Sequence, residues 1–307
     1  METEKGGSFG RLLPRLERLI DRVERILDSQ LDQSEANKDL LSTVTAFRWA
    51  RKNGQGHLEA IHHPDKVDLA DLQGLDQELA VLTRNTLQFV KGLPANNVLI
   101  WGERGTGKSS TVKGFLTRFA AQGLRMIEIQ KYDLEELPAI LDLVWGRPER
   151  FILFCDDLSF DEHERAYREL KALLEGGLAA RPENLLIYAT SNRRHLMPTH
   201  FKDNTLRLQP NDDEIHPQET VEEKISLSDR FGLKIGFYQI DQKTYFRIID
   251  HWVTKRNLQV QPALVRKLAL EWLQHSSGRS GRVARQFVDD LTGRLMLEKQ
   301  ATGDKGQ

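Results

Sequence analysis

IWGERGTGKSSTVKG, residues 100–114, is the stretch that decides the fold. An apolar run ends at Gly102; two more glycines follow within five residues, then a lysine and two serines. Gly102 to Ser109 fits G-x-x-x-x-G-K-[ST], and its flanks read as a strand before and a helix after. Glycine lets the backbone curl so that successive N–H groups point into one concavity. A helix beginning at about Gly107 adds its N-terminal amides and dipole, which favour an anion. The reading is a phosphate loop that runs through Gly102, Glu103, Arg104, Gly105, Thr106, Gly107, Lys108, Ser109 and Ser110. Lys108 is expected to reach β- and γ-phosphates, and the Ser109 hydroxyl to offer a hard oxygen to Mg²⁺.

Such a loop predicts an acidic residue at the end of another buried strand. FILFCDD, residues 151–157, provides it. Two adjacent carboxylates repel unless a cation or solvent relieves them. Asp156 is assigned to the Mg²⁺ shell and Asp157 to polarising the attacking water. The alternative for the pair is a helix N-cap, a role that suits Asp161 at the helix start expected there. Cys155, inside the strand, reads as a buried, inert thiol.

Outward from these two motifs, short apolar runs alternate with helical stretches between residues 74 and 240. The runs are NVLIW (97–101), RMIEI (125–129), RFILFC (150–155), NLLIYAT (184–190) and KIGFYQI (234–240). Nearly continuous apolar strands are buried on both faces, which implies a parallel sheet with crossover helices. The expected fold is therefore α/β, with five parallel strands and helices on both faces. Before it, residues 10–28 read as an amphipathic helix (Leu12, Leu16, Leu19, Val23, Ile26), packed on its own domain or used for association. Residues 35–51 read as a second helix, and 52–74 as loop and linker punctuated by Gly, Asn and Pro. His57, His62 and His63 in that linker lack metal-ligand spacing and read as solvated. Residues 203–223 carry seven acidic residues against one arginine and read as an exposed loop with a short helix. Three helices are expected after 241, at about 243–256, 262–275 and 281–299. Residues 251–300 there hold nine Lys/Arg and four Asp/Glu. The expected division is thus an N-terminal helical region and linker (1–70), a nucleotide-binding α/β domain (71–240), a helical lid (241–300) and a tail.

Bulk composition sets limits on function. The 307 residues are 29% charged and 39% hydrophobic, with a formal net charge of −1. That balance suits a soluble globular protein and gives no sign of a polyanion binder over the whole chain. One cysteine excludes an internal disulfide framework and fits a reducing compartment. No run reaches the ~20 apolar residues of a membrane span, and METEKGGSFGRLL lacks the pattern of a secretory signal. A cytoplasmic protein is the expectation.

The two acidic and glycine motifs lie about fifty residues apart with one strand and helix between them. They resemble the Walker A and Walker B elements of the ASCE branch of P-loop NTPases. Further pieces resemble the AAA+ superfamily. ATSN192, at the end of the fourth strand, is similar to sensor 1; Asn192 matches best, with Thr190 as the fallback. LSDRFGL (227–233) resembles the box that carries an arginine finger, which places Arg230 there. GRSGRVARQF (278–287) resembles sensor 2, with Arg282 the better match and Arg279 the alternative. DLQGLDQE (71–78) resembles the segment that packs on adenine. The likeness spans residues 70–300, and the whole ordering looks like a family of bacterial AAA+ ATPases of undefined biological role. Two departures stand out. Asp156-Asp157 replaces the usual Asp-Glu, and no aromatic-Gly substrate-gripping loop lies between the second and third strands.

The resemblance implies an ATP hydrolase using Mg²⁺, in a homo-oligomer where Arg230 reaches a neighbour's nucleotide. Lys108 and Arg282 would neutralise phosphate charge while Asp157 and Asn192 place the water. It would remodel or load a macromolecular partner. The competing readings are a slow nucleotide-occupancy switch and a helicase-loader-like ATPase associated with nucleic acid, although no DNA-reading motif is recognisable. A GTPase is disfavoured because NKDL (37–40) fails N-K-x-D and lies in the wrong place. A small-molecule kinase would lack the LSDRFGL and GRSGR elements.

Overall fold

The computed structural model describes residues 40–303 except 53, 161–163, 176–180, 195, 197–226 and 277. The helix expected at 10–28, the cap expected at Asp161 and the acidic stretch at 203–223 lie outside the described residues. The chain divides into two compact units, residues 1–44 and 45–307. The sheet and the C-terminal helices belong to the second.

Among the described residues, seven strands form one sheet: β1 (Ala46–Lys52), β2 (Gln55–Ala60), β3 (Val98–Gly102), β4 (Leu124–Ile129), β5 (Arg150–Cys155), β6 (Leu185–Ser191) and β7 (Leu233–Phe237). Their order is β2-β1-β4-β5-β6-β3-β7. The five strands expected from the apolar runs are all present and all pair in parallel, β4 through β7. Sheet size needs correction from five strands to seven, and the 35–51 helix and the 52–74 linker are corrected with it. Residues 46–60 form an antiparallel hairpin whose β1 joins β4 in parallel, so the sheet begins before residue 71. The reason is a two-residue period: Phe47 and Trp49 are buried while Arg48 between them is exposed. Lys52 pairs with Gln55, leaving the Asn-Gly dipeptide of residues 53–54 between the strands, a hairpin signal. Trp49 lies so close over Gly56 that a Cβ there would meet its ring at 2.3 Å, and its indole N–H donates to Glu136 Oε2 (2.9 Å).

The central strands are buried on both faces. Val98 and Ile100 of β3 pack with helices α1 (Asp76–Val90) and α2 (Lys108–Phe119) through Leu82, Phe89, Val112, Phe115 and Phe119. Leu99, Leu153 and Ile187 alternate to the other face and are also fully buried. Further along the chain come α3 (Leu137–Val144) and α4 (Arg165–Glu175), with Ile140, Val144 and Leu170 buried. After β7 the chain builds a separate helical core from α5 (Gln242–Lys255), α6 (Pro262–Gln274) and α7 (Gly281–Gly303). Tyr245, Ile248, Ile249, Val265, Ala269, Ala284, Phe287 and Val288 fill it. Asp241 caps α5 by accepting from the Thr244 N–H (2.7 Å), and Pro262 opens α6. These are the three expected C-terminal helices. No described helix is long and apolar enough to cross a membrane.

Candidate functional site

β3 delivers the glycine loop to the C-terminal end of the sheet. Gly102 pairs with Phe237 of β7 at φ 141°, and a Cβ there would stand 1.9 Å from the Phe237 carbonyl oxygen. The chain can turn out of the sheet here only as glycine. Gly107 (φ 102°) ends the loop and precedes the first residue of α2, Lys108. Lys108 is 7% exposed. Its ammonium donates to Gly102 O (2.7 Å), Glu103 O (2.7 Å) and Asn192 Oδ1 (3.0 Å). Burial pushes its pKa down, against the pull of Asp157 and Asp156.

One residue on, the Ser109 hydroxyl donates to Asp156 Oδ1 (2.6 Å). The Thr190 hydroxyl donates to the same oxygen. Thr190 Oγ1 in turn accepts the Asp157 N–H (2.9 Å), which fixes the backbone just past β5. Asp157 has φ 52°, a conformation that a short polar residue tolerates better than most. Its Oδ1 accepts from Asn192 Nδ2, and its Oδ2 lies 4.0 Å from the Arg104 guanidinium. Cys155, one residue earlier, is buried, and burial pushes its thiol up to about 12.

These groups line a cavity of about 550 Å³ between the end of the sheet and the helical domain. The loop side supplies Arg104, Gly105, Thr106, Lys108, Ser109 and Ser110, with Asp156, Asp157, Thr190 and Asn192 beneath. The helical domain supplies Ile240, Ile248, Trp252, Gly281, Arg282 and Arg285. The two sides touch where the Arg282 N–H donates to Gly105 O (3.3 Å). Asp71, Leu72, Gln73 and Leu75 close the third wall.

The structure therefore brings together the expected loop residues, both aspartates, Asn192 and Arg282. Gly102 and Glu103 do not line the cavity; their carbonyls hold Lys108, and the Glu103 carboxylate accepts from Gln239 Nε2 (2.6 Å). Arg230 is outside this chain's cavity and ion-pairs with Glu175. Sequence reading missed the lid-side contributors. Arg285 holds its guanidinium 4.9 Å over the Trp252 ring. Asp71 accepts from His251 Nε2 (2.9 Å) and from Lys255 Nζ (2.5 and 2.7 Å), tying the third wall to α5. Among the described residues, no group of three or more His, Cys, Asp or Glu is placed to hold a metal ion, so His57, His62 and His63 form no such cluster.

A family model described as "Protein of unknown function (DUF815)" matches residues 42–295. No curated protein matches. Among solved structures, the Thermotoga maritima RuvB Holliday junction branch migration motor is similar at 14% identity and TM-score 0.44, over 74% of this chain and 72% of that one. The FIGL-1 AAA domain in complex with ADP is similar at 18% identity and TM-score 0.47, over 72% and 71%. A DNA replication initiation factor is similar at 20% identity and TM-score 0.43, over 73% and 64%. With TM-scores below 0.5, these likenesses add nothing to the strand order, glycine loop and helical lid already described. Those features are the ones a P-loop NTPase fold requires.

Proposed function

The chain belongs to the DUF815 family, and on that premise we propose that it is a cytoplasmic ATPase that binds ATP with Mg²⁺ between sheet and lid. One observation carries the proposal. A buried lysine donates to two loop carbonyls and to Asn192, one residue before a serine hydroxyl 2.6 Å from a strand-end carboxylate. Ser109 Oγ and Asp156 Oδ1 are adjacent hard oxygens, a donor pair that suits a magnesium ion also bound by phosphate and water. When bound, that ion supplies positive charge to the β- and γ-phosphates.

The chain's own residues do the rest. Lys108 and Arg282 face the phosphates from the loop and the lid, and Leu72, Leu75 and Ile248 receive the base. Asp157 and Asn192 orient a water. Its oxygen bonds to the γ-phosphorus while the bond from that phosphorus to the bridging oxygen breaks. ADP leaves with that electron pair, and the water's proton passes through the Asp157 carboxylate to solvent. Arg230, outside its own cavity, serves the site of a neighbouring copy in a homo-oligomer. Hydrolysis is coupled to remodelling or loading a macromolecular partner.

The slow-switch reading has one observation in its favour: Asp157 is short, and both its oxygens face other side chains. The deciding experiment is the ATP hydrolysis rate per subunit as protein concentration rises, with Lys108→Ala as the blank and nucleotide binding measured alongside. A per-subunit rate that climbs supports assembly with Arg230 in trans. A rate flat at the blank, with ATP still bound, removes the motor reading and leaves the switch. Absence of binding removes both.

A further inference from the structure

We infer that Arg104 is a catalytic residue supplied in cis by the glycine loop itself. It rests beside Asp157 in the site described here and moves onto the γ-phosphate of bound ATP. The inference rests on the ATP reading above and assigns to one side chain a role that the loop's backbone cannot perform.

Four observations carry it. First, Arg104 lines the cavity although its side chain is 78% exposed. It faces the site without being packed, so its guanidinium is free to swing. Second, its partner is weakly held. Arg104 Nη2 and Asp157 Oδ2 are 4.0 Å apart, and the Asp157 side chain is 60% exposed. Exposed pairs at such distances contribute little, so a stronger acceptor displaces the carboxylate readily. A phosphate oxygen pair, able to take two parallel N–H bonds, is that acceptor.

Third, the loop backbone around Arg104 is pinned, so the side chain moves and not the loop. Gly105 stands at φ 79° with no room for a Cβ, which would meet Ser280 Oγ at 2.9 Å and Arg282 Cβ at 3.2 Å. Its carbonyl also accepts from the Arg282 N–H. The lid thus docks on the residue that follows Arg104.

Fourth, both Asp157 oxygens face side chains. Oδ1 accepts from Asn192 and Oδ2 faces Arg104. Polarising a water requires one of them. Transfer of Arg104 to the phosphate releases Oδ2 and adds a positive charge where negative charge grows during transfer. One event would supply both requirements, and it depends on the γ-phosphate, which ADP lacks.

The test uses the full-length protein, with wild type, Arg104→Ala and Arg104→Lys compared for binding of ADP and adenylyl imidodiphosphate by calorimetry and for turnover of ATP. Arg104→Ala is expected to bind ADP as wild type does, which also reports an intact fold. It should bind the triphosphate analogue about tenfold more weakly, from loss of a charge-assisted bond, and turn over about a hundredfold more slowly, as when one charge-stabilising donor is removed. Arg104→Lys should recover part of each loss. If Arg104→Ala retains the wild-type ratio of ADP to analogue affinity and the wild-type rate, the inference is overturned while the ATP reading stands. A rate that rises in Arg104→Ala also overturns it, because Arg104 would then only restrain Asp157. If wild type binds neither nucleotide, the ATP reading and this inference fall together.

Discussion

The sheet and the lid both face the cavity, yet each holds a buried tyrosine in a different way. Tyr188, on β6, accepts or donates at Thr86 Oγ1 (2.8 Å) and accepts from Asn85 Nδ2 (3.1 Å). Asn85 also donates to Asn96 O and accepts the Asn96 N–H, both at 2.9 Å, just upstream of β3. Tyr245, on α5, is equally buried, but its hydroxyl has no hydrogen-bond partner. Burial pushes both phenols up to about 12, and only for Tyr188 do hydrogen bonds pull the other way. The attachments between lid and sheet are of a third kind: Asp71 with His251 and Lys255, Arg247 with Asp76, and Arg282 N–H with Gly105 O. The sheet side of the cavity is thus built on a paired polar framework. The lid is an apolar bundle, and its attachments to the sheet side are polar. A lid that moves with nucleotide state needs this division.

The largest effect should come from breaking the sheet side. Gly102→Ala would force a Cβ onto the Phe237 carbonyl in a left-handed conformation. Strain and overlap together should cost about 4 kcal/mol. Thermal unfolding and the soluble yield measure it; a variant with the wild-type Tm would show that β3 and β7 part more easily than their register suggests.

Tyr188→Phe comes next. It removes the acceptor of Asn85 and the partner of Thr86 inside the sheet's core, at about 1–2 kcal/mol, or roughly 4 °C in Tm for a chain of this size. Asp71→Ala should be milder, at about 1 kcal/mol, with nucleotide affinity falling about threefold as the lid loosens. This one carries a pH signature. Burial pushes the Asp71 carboxyl up, but hydrogen bonds from Lys255 and His251 outweigh it and hold the group below its ordinary value. A folded-state pKa below the unfolded one stabilises fully above the unfolded value of about 4 and fades as pH falls through the folded value. The Tm gap between wild type and Asp71→Ala should therefore be open at pH 7 and close in acid.

The same contrast explains what the sequence let a reader see. The sheet's strands and the glycine loop are local: five apolar runs, and a loop whose residue types are dictated by one backbone shape. Asp156 and Asp157 follow the same logic, since a strand end places them. The β1–β2 hairpin was legible in principle from Asn53-Gly54 between runs of alternating residues, but Leu40, Val44 and Phe47 also fit a helical spacing. Apart from Arg282, the lid's contribution to the cavity was not legible. Asp71 and Lys255 are 184 residues apart, and nothing in α5 alone marks Trp252 as facing a cavity rather than the bundle core. Arg282 was reached through resemblance, whereas Arg285, one turn on, is identified only by docking α7 against the loop.

The smallest predicted effect is the sharpest test of the comparison, because its sign opposes that of Tyr188→Phe. Tyr245→Phe deletes a hydroxyl that has no partner, on a ring that belongs to the lid's apolar core. An unpaired buried polar group costs desolvation without return, so its removal should leave stability unchanged or raise it by up to about 1 kcal/mol. The two phenylalanine variants remove the same atom from equally buried rings, one from a paired site and one from an orphaned one. Measured side by side by thermal unfolding, they should move Tm in different directions, or one should fall while the other holds. If Tyr245→Phe falls as far as Tyr188→Phe, the lid hydroxyl has a partner, such as a buried water, and the lid is as tightly specified as the sheet.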